Sequence, residues 1–338
     1  MRPAVTLVTG AGGEIGHGLL DRLPREGFPP IVTLDVNPLD RRLARVVHRE
    51  ITGSILDPGL LERILAEFEI DQVFHLAALL STRAEFTPVM AHRVNVEGTL
   101  GLLEFAQQQS ESHGRPVVFL YPSSIAAYGL PDRATKARTG PVQEKDWNVP
   151  VTMYGCNKLY CELLGRYYSR HYKQLSVDGL AGRVDFRCVR FPGLISAATE
   201  PSGGTSDYAP AMIHSAARGQ RYRCFVRADT RIPFMTMPDA VDALVRLASA
   251  RRERLTRTVY NVRAFNPSAG ELRAKVLTLF PTAQIDFVVD EKRQRILDSW
   301  PTDVDDGVAR HDWGFEPRYD FERAFSDYLE PNVRADRV

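Results

Sequence analysis

The chain has 338 residues, 44% of them apolar and 25% charged, and its formal net charge at pH 7 is +1. This composition is typical of a globular protein with one large domain or two unequal ones. The near-zero charge gives no field for nucleic acid or an anionic membrane, and no stretch reaches the roughly 20 apolar residues that cross a bilayer. Four cysteines without CxxC spacing, no metal-ligand pattern and no signal-peptide pattern at the start favour a cytoplasmic location.

Segments typical of strands and helices alternate through the first part of the chain. Strands are predicted, in order, over residues 4–10, 30–36, 71–79, 116–124 and 184–191. Amphipathic helices are predicted between them over residues 14–27, 56–70, 89–109 and 152–172, and a polar loop over residues 130–150. This order predicts an α/β fold built on a Rossmann-type doubly wound parallel sheet.

After residue 190 the predicted elements become shorter and less regular. They are strands over 223–229 and 258–264 and helices over 238–250 and 268–280. No linker separates them from the first part of the chain. We therefore expect a sheet domain over residues 1–190 and a smaller α/β substrate-binding lobe over residues 191–338, interleaved with it.

A glycine-rich turn joins the first strand to the first helix. Gly10, Gly13 and Gly16 follow a G-x-x-G-x-x-G spacing, and Gly12 adds a fourth glycine. Residues without a Cβ let the backbone approach a pyrophosphate, and the helix N-terminus supplies N–H groups. Asp35 ends the second strand, where a carboxylate can accept hydrogen bonds from ribose hydroxyls and repel a 2′-phosphate. The first domain is therefore predicted to bind NAD rather than NADP.

A tyrosine and a lysine lie at the start of the helix predicted over residues 152–172. Tyr154 and Lys158 share one helix face at i and i+4, and a nearby ammonium favours a phenolate. Ser123 and Ser124 end the preceding strand, at the sheet edge where α/β proteins bind ligands. A serine hydroxyl there can hold a substrate oxygen while the tyrosine moves its proton. The pattern predicts a proton-transfer site beside the cofactor.

Taken together, Asp35 and five short stretches resemble the extended short-chain dehydrogenase/reductase family, which includes nucleotide-sugar epimerases and dehydratases. The stretches are TGAGGEIG (9–16), HLAAL (75–79), NVEGT (95–99), PSSIAAYG (122–129) and YGCNK (154–158). The resemblance implies a catalytic set of Ser124, Tyr154 and Lys158. It also implies a set of cofactor-binding residues: Gly10, Gly12, Gly13, Glu14, Ile15, Gly16, Asp35, Ile55, Leu56, Asp57, Leu76, Ala77, Ala78, Asn95, Pro122, Tyr154, Lys158, Phe191, Gly193 and Leu194. The loop 130–150 and an insert over 175–182 depart from the family pattern.

Later stretches resemble one group of that family, the short-chain type of L-threonine 3-dehydrogenase. They are residues 191–209, 224–244 and 296–315, with Ala78–Ser81 in addition. The resemblance implies oxidation of the β-hydroxyl of L-threonine to 2-amino-3-oxobutanoate, with Tyr154 taking the proton and NAD the hydride. The candidate substrate-binding residues are Ser81, Ser123, Ser124, Tyr154, Gly203, Thr205, Ser206, Asp207 and Trp300.

The residue types in these stretches suit a small zwitterion but leave alternatives open. Thr205, Ser206 and nearby backbone N–H groups can bind a carboxylate, and Asp207 can meet an ammonium. Asp207 can instead brace its loop or cap the following helix, and Trp300 can close the pocket or belong to the core. His75 is expected to be a buried structural histidine.

Two other functions stay open at this point. Arg190, Arg218 and Arg231 are available to a diphosphate, which keeps a nucleotide-sugar epimerase or dehydratase, or a sugar-acid dehydrogenase, as the alternative. A non-catalytic NAD sensor is less favoured, since it has no need of a general base. The family resemblance also suggests a homodimer formed through the helices predicted over 89–109 and 152–172.

Overall fold

The computed structural model describes residues 2–176, 184–201 and 203–335, so most of the insert 175–182 lies outside the described residues. Its strands are β1 (Ala4–Thr9), β2 (Ile31–Asp35), β3 (Arg49–Thr52), β4 (Glu69–His75), β5 (Val117–Ser124), β6 (Val184–Phe191), β7 (Gly193–Ile195), β8 (Tyr222–Cys224), β9 (Phe234–Thr236), β10 (Val259–Asn261) and β11 (Ile285–Phe287). Seven of them form a parallel sheet in the order β3-β2-β1-β4-β5-β6-β10. Two short parallel pairs, β7 with β9 and β8 with β11, lie outside it. The predicted Rossmann-type sheet is confirmed, with its direction of winding reversed between β1 and β4.

Helices cover the sheet and form the smaller lobe. They are α1 (Glu14–Arg22), α2 (Arg41–Ala44), α3 (Pro58–Glu67), α4 (Ser81–Phe86), α5 (Pro88–His92), α6 (Gly98–His113), α7 (Arg133–Arg138), α8 (Met153–Arg170), α9 (Tyr208–Ala217), α10 (Met237–Ser249), α11 (Ala269–Leu279), α12 (Glu291–Asp298), α13 (Gly307–Trp313), α14 (Phe321–Arg323) and α15 (Glu330–Ala335). Tighter 3-10 turns lie at Leu23–Glu26, Ile125–Ala127 and Arg252–Arg254, and π-helical turns at Arg93–Glu97 and Ala324–Leu329. Within the described ranges, none of these helices combines the length and the apolar character needed to cross a bilayer.

The structure corrects three predictions. No strand is predicted between residues 36 and 56, but β3 lies there as a half-exposed edge strand whose polar residues hide its period. The helix predicted over 56–70 ends at Glu67, because the apolar residues after it pair with β1 as strand β4. The loop 130–150 contains α7, whose N-terminus is capped by Asp132 through a 2.7 Å hydrogen bond from the Thr135 N–H.

Elements from the second half of the chain complete the first domain. β10 pairs with β6 from Val259 to Asn261, at one edge of the central sheet. The apolar face of α10 packs with residues of α1 and β1 in the same buried cluster. A second buried cluster covers the opposite face of the sheet, and a third forms the core of the smaller lobe. Segments from the second half of the chain therefore pack into the central sheet and its helical layer; the two predicted domains, their interleaving and the division at residue 190 stay predictions.

Candidate active site

A cavity of about 700 Å³ lies over the carboxyl ends of β1, β2, β4, β5 and β6. The switch point between β1 and β4 opens into it, the usual place for a ligand in a doubly wound sheet. Its size is within the range of sites for cofactors and small molecules. One end is lined by the glycine turn and the residues after β2, and the other by the end of β5, the start of α8 and the loop before α9.

The glycine turn at one end has no room for side chains. Gly10 has φ +66°, and a Cβ on it would lie 2.5 Å from the backbone nitrogen of Ala77. A Cβ on Gly16 would lie 2.2 Å from the carbonyl oxygen of Ala11. Gly13 is the N-cap of α1 and contributes no side chain, so the first turn of α1 stays accessible to an anion. The turn therefore fits the pyrophosphate of a dinucleotide.

Asp35 lies at the end of β2, beside the glycine turn. Its carboxylate accepts hydrogen bonds of 3.0 Å from the backbone N–H groups of Gly12 and Asn37. Both oxygens are thus fixed at the wall of the cavity. This position suits the ribose hydroxyls of an adenosine, and the negative charge opposes a phosphate there.

Tyr154, Lys158 and Ser124 meet at the middle of the cavity. The Lys158 ammonium lies 5.5 Å from the centre of the Tyr154 ring and donates a 2.6 Å hydrogen bond to the carbonyl oxygen of Pro122. The Ser124 hydroxyl oxygen accepts a hydrogen bond from the Ala126 N–H. Burial raises the pKa of Tyr154 well above its usual range and lowers the pKa of Lys158 to about 8. Burial thus disfavours the charged form of each group, although with a pKa of about 8 Lys158 is still mainly an ammonium at pH 7.

Ser123 faces the cavity wall but its hydroxyl proton is engaged elsewhere. It donates a 2.5 Å hydrogen bond to the buried carboxylate of Glu162, one helical turn after Lys158. The expectation that Ser123 holds a substrate oxygen as a donor therefore meets a competing partner. Ser124 makes no hydrogen bond to Glu162, so of the two serines it is the one whose hydroxyl proton is left to donate to a substrate oxygen.

The loop before α9 closes the other end of the cavity. The Ser81 hydroxyl oxygen accepts hydrogen bonds from the N–H of Thr205 at 2.9 Å and from its hydroxyl at 3.0 Å. Asp207 accepts from the N–H groups of Gly203 at 2.9 Å and Gly204 at 2.5 Å. Asp207 therefore braces its own loop, and its side chain makes no hydrogen bond that caps α9. Burial raises the pKa of Asp207 above its ordinary value.

Trp300 is buried and belongs at once to the lobe core and to the cavity wall. Its neighbour Ser299 accepts a hydrogen bond from the Leu130 N–H through its carbonyl oxygen. The buried Lys136 ammonium donates 2.7 Å to the carbonyl oxygen of Leu297. The loop 130–150 thus holds the segment that carries Trp300. Trp300 is both a core residue and a wall residue, and its predicted role in closing the pocket stays a prediction.

Four predicted site residues lie outside the cavity wall. They are Leu56, Asp57, Asn95 and Gly203. Asp57 caps α3 by accepting from the Leu60 N–H, and the Asn95 amide exchanges two hydrogen bonds with the backbone of Leu79. The side chains of Asp57 and Asn95 thus support the backbone around the site, and the predicted part of all four residues in cofactor or substrate binding stays a prediction. All the other predicted residues line the cavity.

The cavity also has wall residues that sequence reasoning missed. They are His17, Leu34, Val36, Asn37, Pro38, Leu39, Asp40, Gly53, Ser54, Leu79, Leu80, Val94, Ile125, Pro192, Gly204 and Met237. Ser54 follows β3, a strand that was not predicted, and its only signal was its place next to Ile55. The others lie within five positions of predicted residues, and that was their only signal, except for Met237, which begins α10 and has no predicted residue near it in the sequence. His75 is a satisfied core histidine, as expected, with its ring between the hydroxyls of Thr9 and Thr99 and its pKa lowered to about 3 by burial.

Comparison with known proteins gives the family. The model of the NAD-dependent epimerase/dehydratase family matches residues 6–262, which include the glycine turn and the predicted catalytic residues Ser124, Tyr154 and Lys158. The chain belongs to this family. Its predicted membership of the extended short-chain dehydrogenases/reductases is thereby confirmed.

Individual relatives are similar over nearly the whole chain. A mitochondrial L-threonine 3-dehydrogenase of Bos taurus is 34% identical over 333 residues, covering 98% of this chain and 83% of the relative. An uncharacterised epimerase/dehydratase of Staphylococcus haemolyticus is 39% identical, covering 93% of each chain. The crystal structure of L-threonine dehydrogenase from Clostridium difficile superposes with a TM-score of 0.85 at 30% identity, covering 99% of both chains. The chain is thus an enzyme of the NAD-dependent dehydrogenase type, similar to L-threonine 3-dehydrogenases.

Proposed function

We propose that this family member oxidises L-threonine at its β-hydroxyl with NAD, giving 2-amino-3-oxobutanoate and NADH. The observation that carries the proposal is the pair of hydrogen bonds from Thr205 to Ser81, in the cavity that Tyr154 also lines. It fixes the Ser81 hydroxyl, whose oxygen accepts both bonds and whose proton is left to donate, in the wall of the same cavity as the proton-transfer pair. The similarity to L-threonine 3-dehydrogenases supports the same substrate.

The residues of the chain have separate tasks in this reaction. Tyr154, as phenolate, accepts the proton of the substrate hydroxyl, and the Lys158 ammonium stabilises that phenolate. Removing one proton from this buried pair gives a phenolate and an ammonium that attract each other. Ser124 orients the substrate oxygen, and the loop braced by Asp207 excludes water from the amino-acid end. NAD, when bound, supplies the hydride acceptor.

NAD is favoured over NADP by the geometry after β2. The Asp35 carboxylate is fixed by two backbone N–H groups and lines the cavity. A 2′-phosphate placed beside it would meet a like charge that cannot turn away. We therefore expect NADP to support turnover at least about 10-fold less well than NAD.

A substrate panel at fixed NAD tests the proposal. Purified protein is given L-threonine, its allo and D isomers, L-serine, erythronate and UDP-glucose. NADH formation is followed for each, and UDP-glucose is also assayed for product, because an epimerase returns the hydride and forms no net NADH. L-Threonine is expected to give the highest kcat/KM. Turnover of UDP-glucose or erythronate with none of L-threonine would refute the proposed substrate.

A sugar-nucleotide or sugar-acid enzyme is the second candidate, and the Staphylococcus relative favours it. The structure supplies an argument against a diphosphate substrate. Arg190 is buried against Glu162, Arg218 pairs with Glu200, and Arg231 pairs with Glu271. None of these arginines lines the cavity. A diphosphate bound there would lack the guanidinium partners that such groups prefer.

A homodimer through α6 and α8 is proposed as the working form of the protein. Leu100 on α6 and Tyr160, Leu163 and Tyr167 on α8 are exposed although they are large and apolar. Such a surface is typical of an interface between subunits. Leu163→Lys is expected to shift the mass measured by light scattering to that of a monomer. Val288→Lys, at an equally exposed position in the smaller lobe, serves as the control.

The cytoplasmic location is likewise proposed. All four cysteines are free, as expected for a reducing compartment. The bovine relative bears the word mitochondrial in its name, which makes an organelle the alternative. Fractionation of cells followed by detection of the chain distinguishes the two.

A further inference from the structure

A buried group of charged and polar side chains lies directly behind the catalytic residues. Arg190 donates to both oxygens of Glu162, at 2.8 Å and 2.5 Å, and Ser123 donates to the first of these oxygens at 2.5 Å. The Arg190 and Glu162 side chains are 2% and 3% exposed, which makes this a desolvated two-point ion pair. A fork of this kind fixes the orientation of both partners.

The three residues come from the elements that carry the catalytic set. Ser123 precedes Ser124 on β5 and stands opposite Arg190 in the parallel register with β6. Glu162 lies on α8 four residues after Lys158 and eight after Tyr154, on the same helix face. The group therefore joins the serine strand to the tyrosine–lysine helix at one point.

The outer side of Arg190 is held as firmly as the inner side. Its guanidinium donates to the carbonyl oxygen of Glu144 at 3.0 Å and lies over the ring of Tyr128 at 4.6 Å. The Glu144 carboxylate accepts from the Asn261 N–H on β10. Buried partners thus take up the hydrogen bonds and the face of the Arg190 guanidinium, which leaves no surface of it for a ligand.

We propose that Glu162, clamped by Arg190, is a positioning residue of the active site. It fixes the Ser123–Ser124 strand end through the Ser123 hydroxyl, and it keeps a negative charge one helical turn from Lys158. The inference rests on the proposed proton-transfer role of Tyr154, Lys158 and Ser124, and not on the identity of the substrate.

Titratable groups from four elements face Lys158, and each of them can affect the pKa of its ammonium. They are His75 on β4, Tyr121 on β5, Cys188 on β6, and Tyr154, Cys161 and Glu162 on α8. Of these, Glu162 is the group that carries a full negative charge while it is paired with Arg190. Its carboxylate favours the ammonium form of Lys158.

A second buried ion pair on β6 provides the control. Asp185 and Arg187 are joined at 2.6 Å and are 8% and 4% exposed. They lie at the other end of the strand from the cavity, where Arg187 donates to carbonyl oxygens at the end of α10. Asp185→Asn and Arg187→Lys therefore disturb an equivalent pair without touching the site.

Turnover is the first measurement. Ser123→Ala removes one hydroxyl and is expected to lower kcat about 10-fold, with the KM for NAD unchanged, because Ser124 loses its fixed orientation. Glu162→Gln is expected to lower kcat about 100-fold, and Arg190→Lys, which keeps the charge but loses the fork, by an intermediate factor. The two control variants are expected to lower the midpoint of thermal unfolding and leave kcat within about twofold of the wild type.

The charge of Lys158 is the second measurement and needs no substrate. The chain has six lysines, so isotope-labelled lysine gives a spectrum in which Lys158 is assigned by its loss in Lys158→Arg. Glu162→Gln is expected to move the NMR titration midpoint of Lys158 about one pH unit lower, while Ser123→Ala and Arg190→Lys leave it near the wild-type value. Lys136, which is also buried, is the internal reference and should not move.

An unchanged Lys158 midpoint in Glu162→Gln, or kcat losses in Asp185→Asn equal to those in Glu162→Gln, would overturn the inference. Failure of the wild type to oxidise L-threonine would overturn the proposed substrate alone. In that case the NMR titration still decides the role of Glu162, and turnover is measured with whichever member of the panel reacts.

Discussion

The two ends of the cavity are built in different ways. The cofactor end is made of backbone: Gly10 and Gly16 leave no room for a Cβ, and Asp35 accepts from two N–H groups. The substrate end is made of side chains from distant segments, such as Ser81 with Thr205, 124 positions apart. A backbone site is specified by a short stretch of sequence. A side-chain site depends on tertiary contacts, so it can change its substrate while the cofactor end stays the same.

Tyr154 belongs to both ends, and its loss should give the largest effect. Tyr154→Phe removes the proton acceptor and keeps the ring, so kcat is expected to fall about 1,000-fold or more. The Kd for NAD, measured by calorimetry, should stay within about threefold of the wild type, since the contact removed is one hydroxyl. Turnover above one tenth of the wild-type rate would remove Tyr154 from its role.

The cofactor end is tested by adding one methyl group. In Gly16→Ala the new Cβ meets the carbonyl oxygen of Ala11, a backbone atom that cannot move aside alone. Overpacking of this size should weaken NAD binding about 10- to 100-fold. Gly140→Ala is the control, because a Cβ there meets nothing within 4 Å. Equal NAD affinity in the two variants would contradict the account of the turn.

The substrate end should respond without any change at the cofactor end. Thr205→Val removes the hydroxyl that donates to Ser81 while it keeps the shape of the side chain. We expect the KM for L-threonine to rise about 10-fold and the KM for NAD to stay the same. Thr205→Ser restores the hydroxyl and should recover most of the loss. A parallel rise in the KM for NAD would show that the two ends are not separate.

The smallest effect is expected from Lys136, which holds the Trp300 segment from outside. Burial lowers its pKa to about 8 from the ordinary 10.5, so the unfolded chain binds more protons between these values. Its contribution to the free energy of unfolding therefore rises as the pH rises from about 8 to 10.5. Lys136→Met should lack this rise, which we expect to be about 1 to 3 kcal/mol in the free energy of unfolding measured with urea. Identical pH dependence in the two proteins would show that the ammonium is not buried in solution.

The same contrast explains what the sequence could predict. The spacing of Gly10, Gly13 and Gly16 and the i, i+4 pair Tyr154 and Lys158 are local patterns, and the structure brings them to one cavity. Ser54 could not be found, because the polar edge strand before it has no clear period. The partner of Ser123 could not be found either, since Glu162 comes beside it only when β5 packs against α8.

The role of Asp207 shows a limit of prediction from local sequence patterns. Sequence reasoning left its role open between ligand, brace and cap, because an aspartate before a helix suits all three. Only the direction of the carboxylate toward Gly203 and Gly204 decides between them. The substrate residues were proposed by resemblance for this reason, and their roles still rest on it.

The pairing of β10 with β6 has a consequence for synthesis and for protein engineering. β6 is buried along its whole length, and its outer neighbour is made only when the ribosome has passed residue 261. A fragment that stops at residue 190 would leave this edge of the sheet without its partner strand, and chains aggregate at such unpaired edges. The smaller lobe is therefore not an interchangeable cassette. A chimera that imports another substrate specificity has to exchange the loops around Ser81, Thr205 and Trp300 while it keeps β10 and α10 with the sheet they complete.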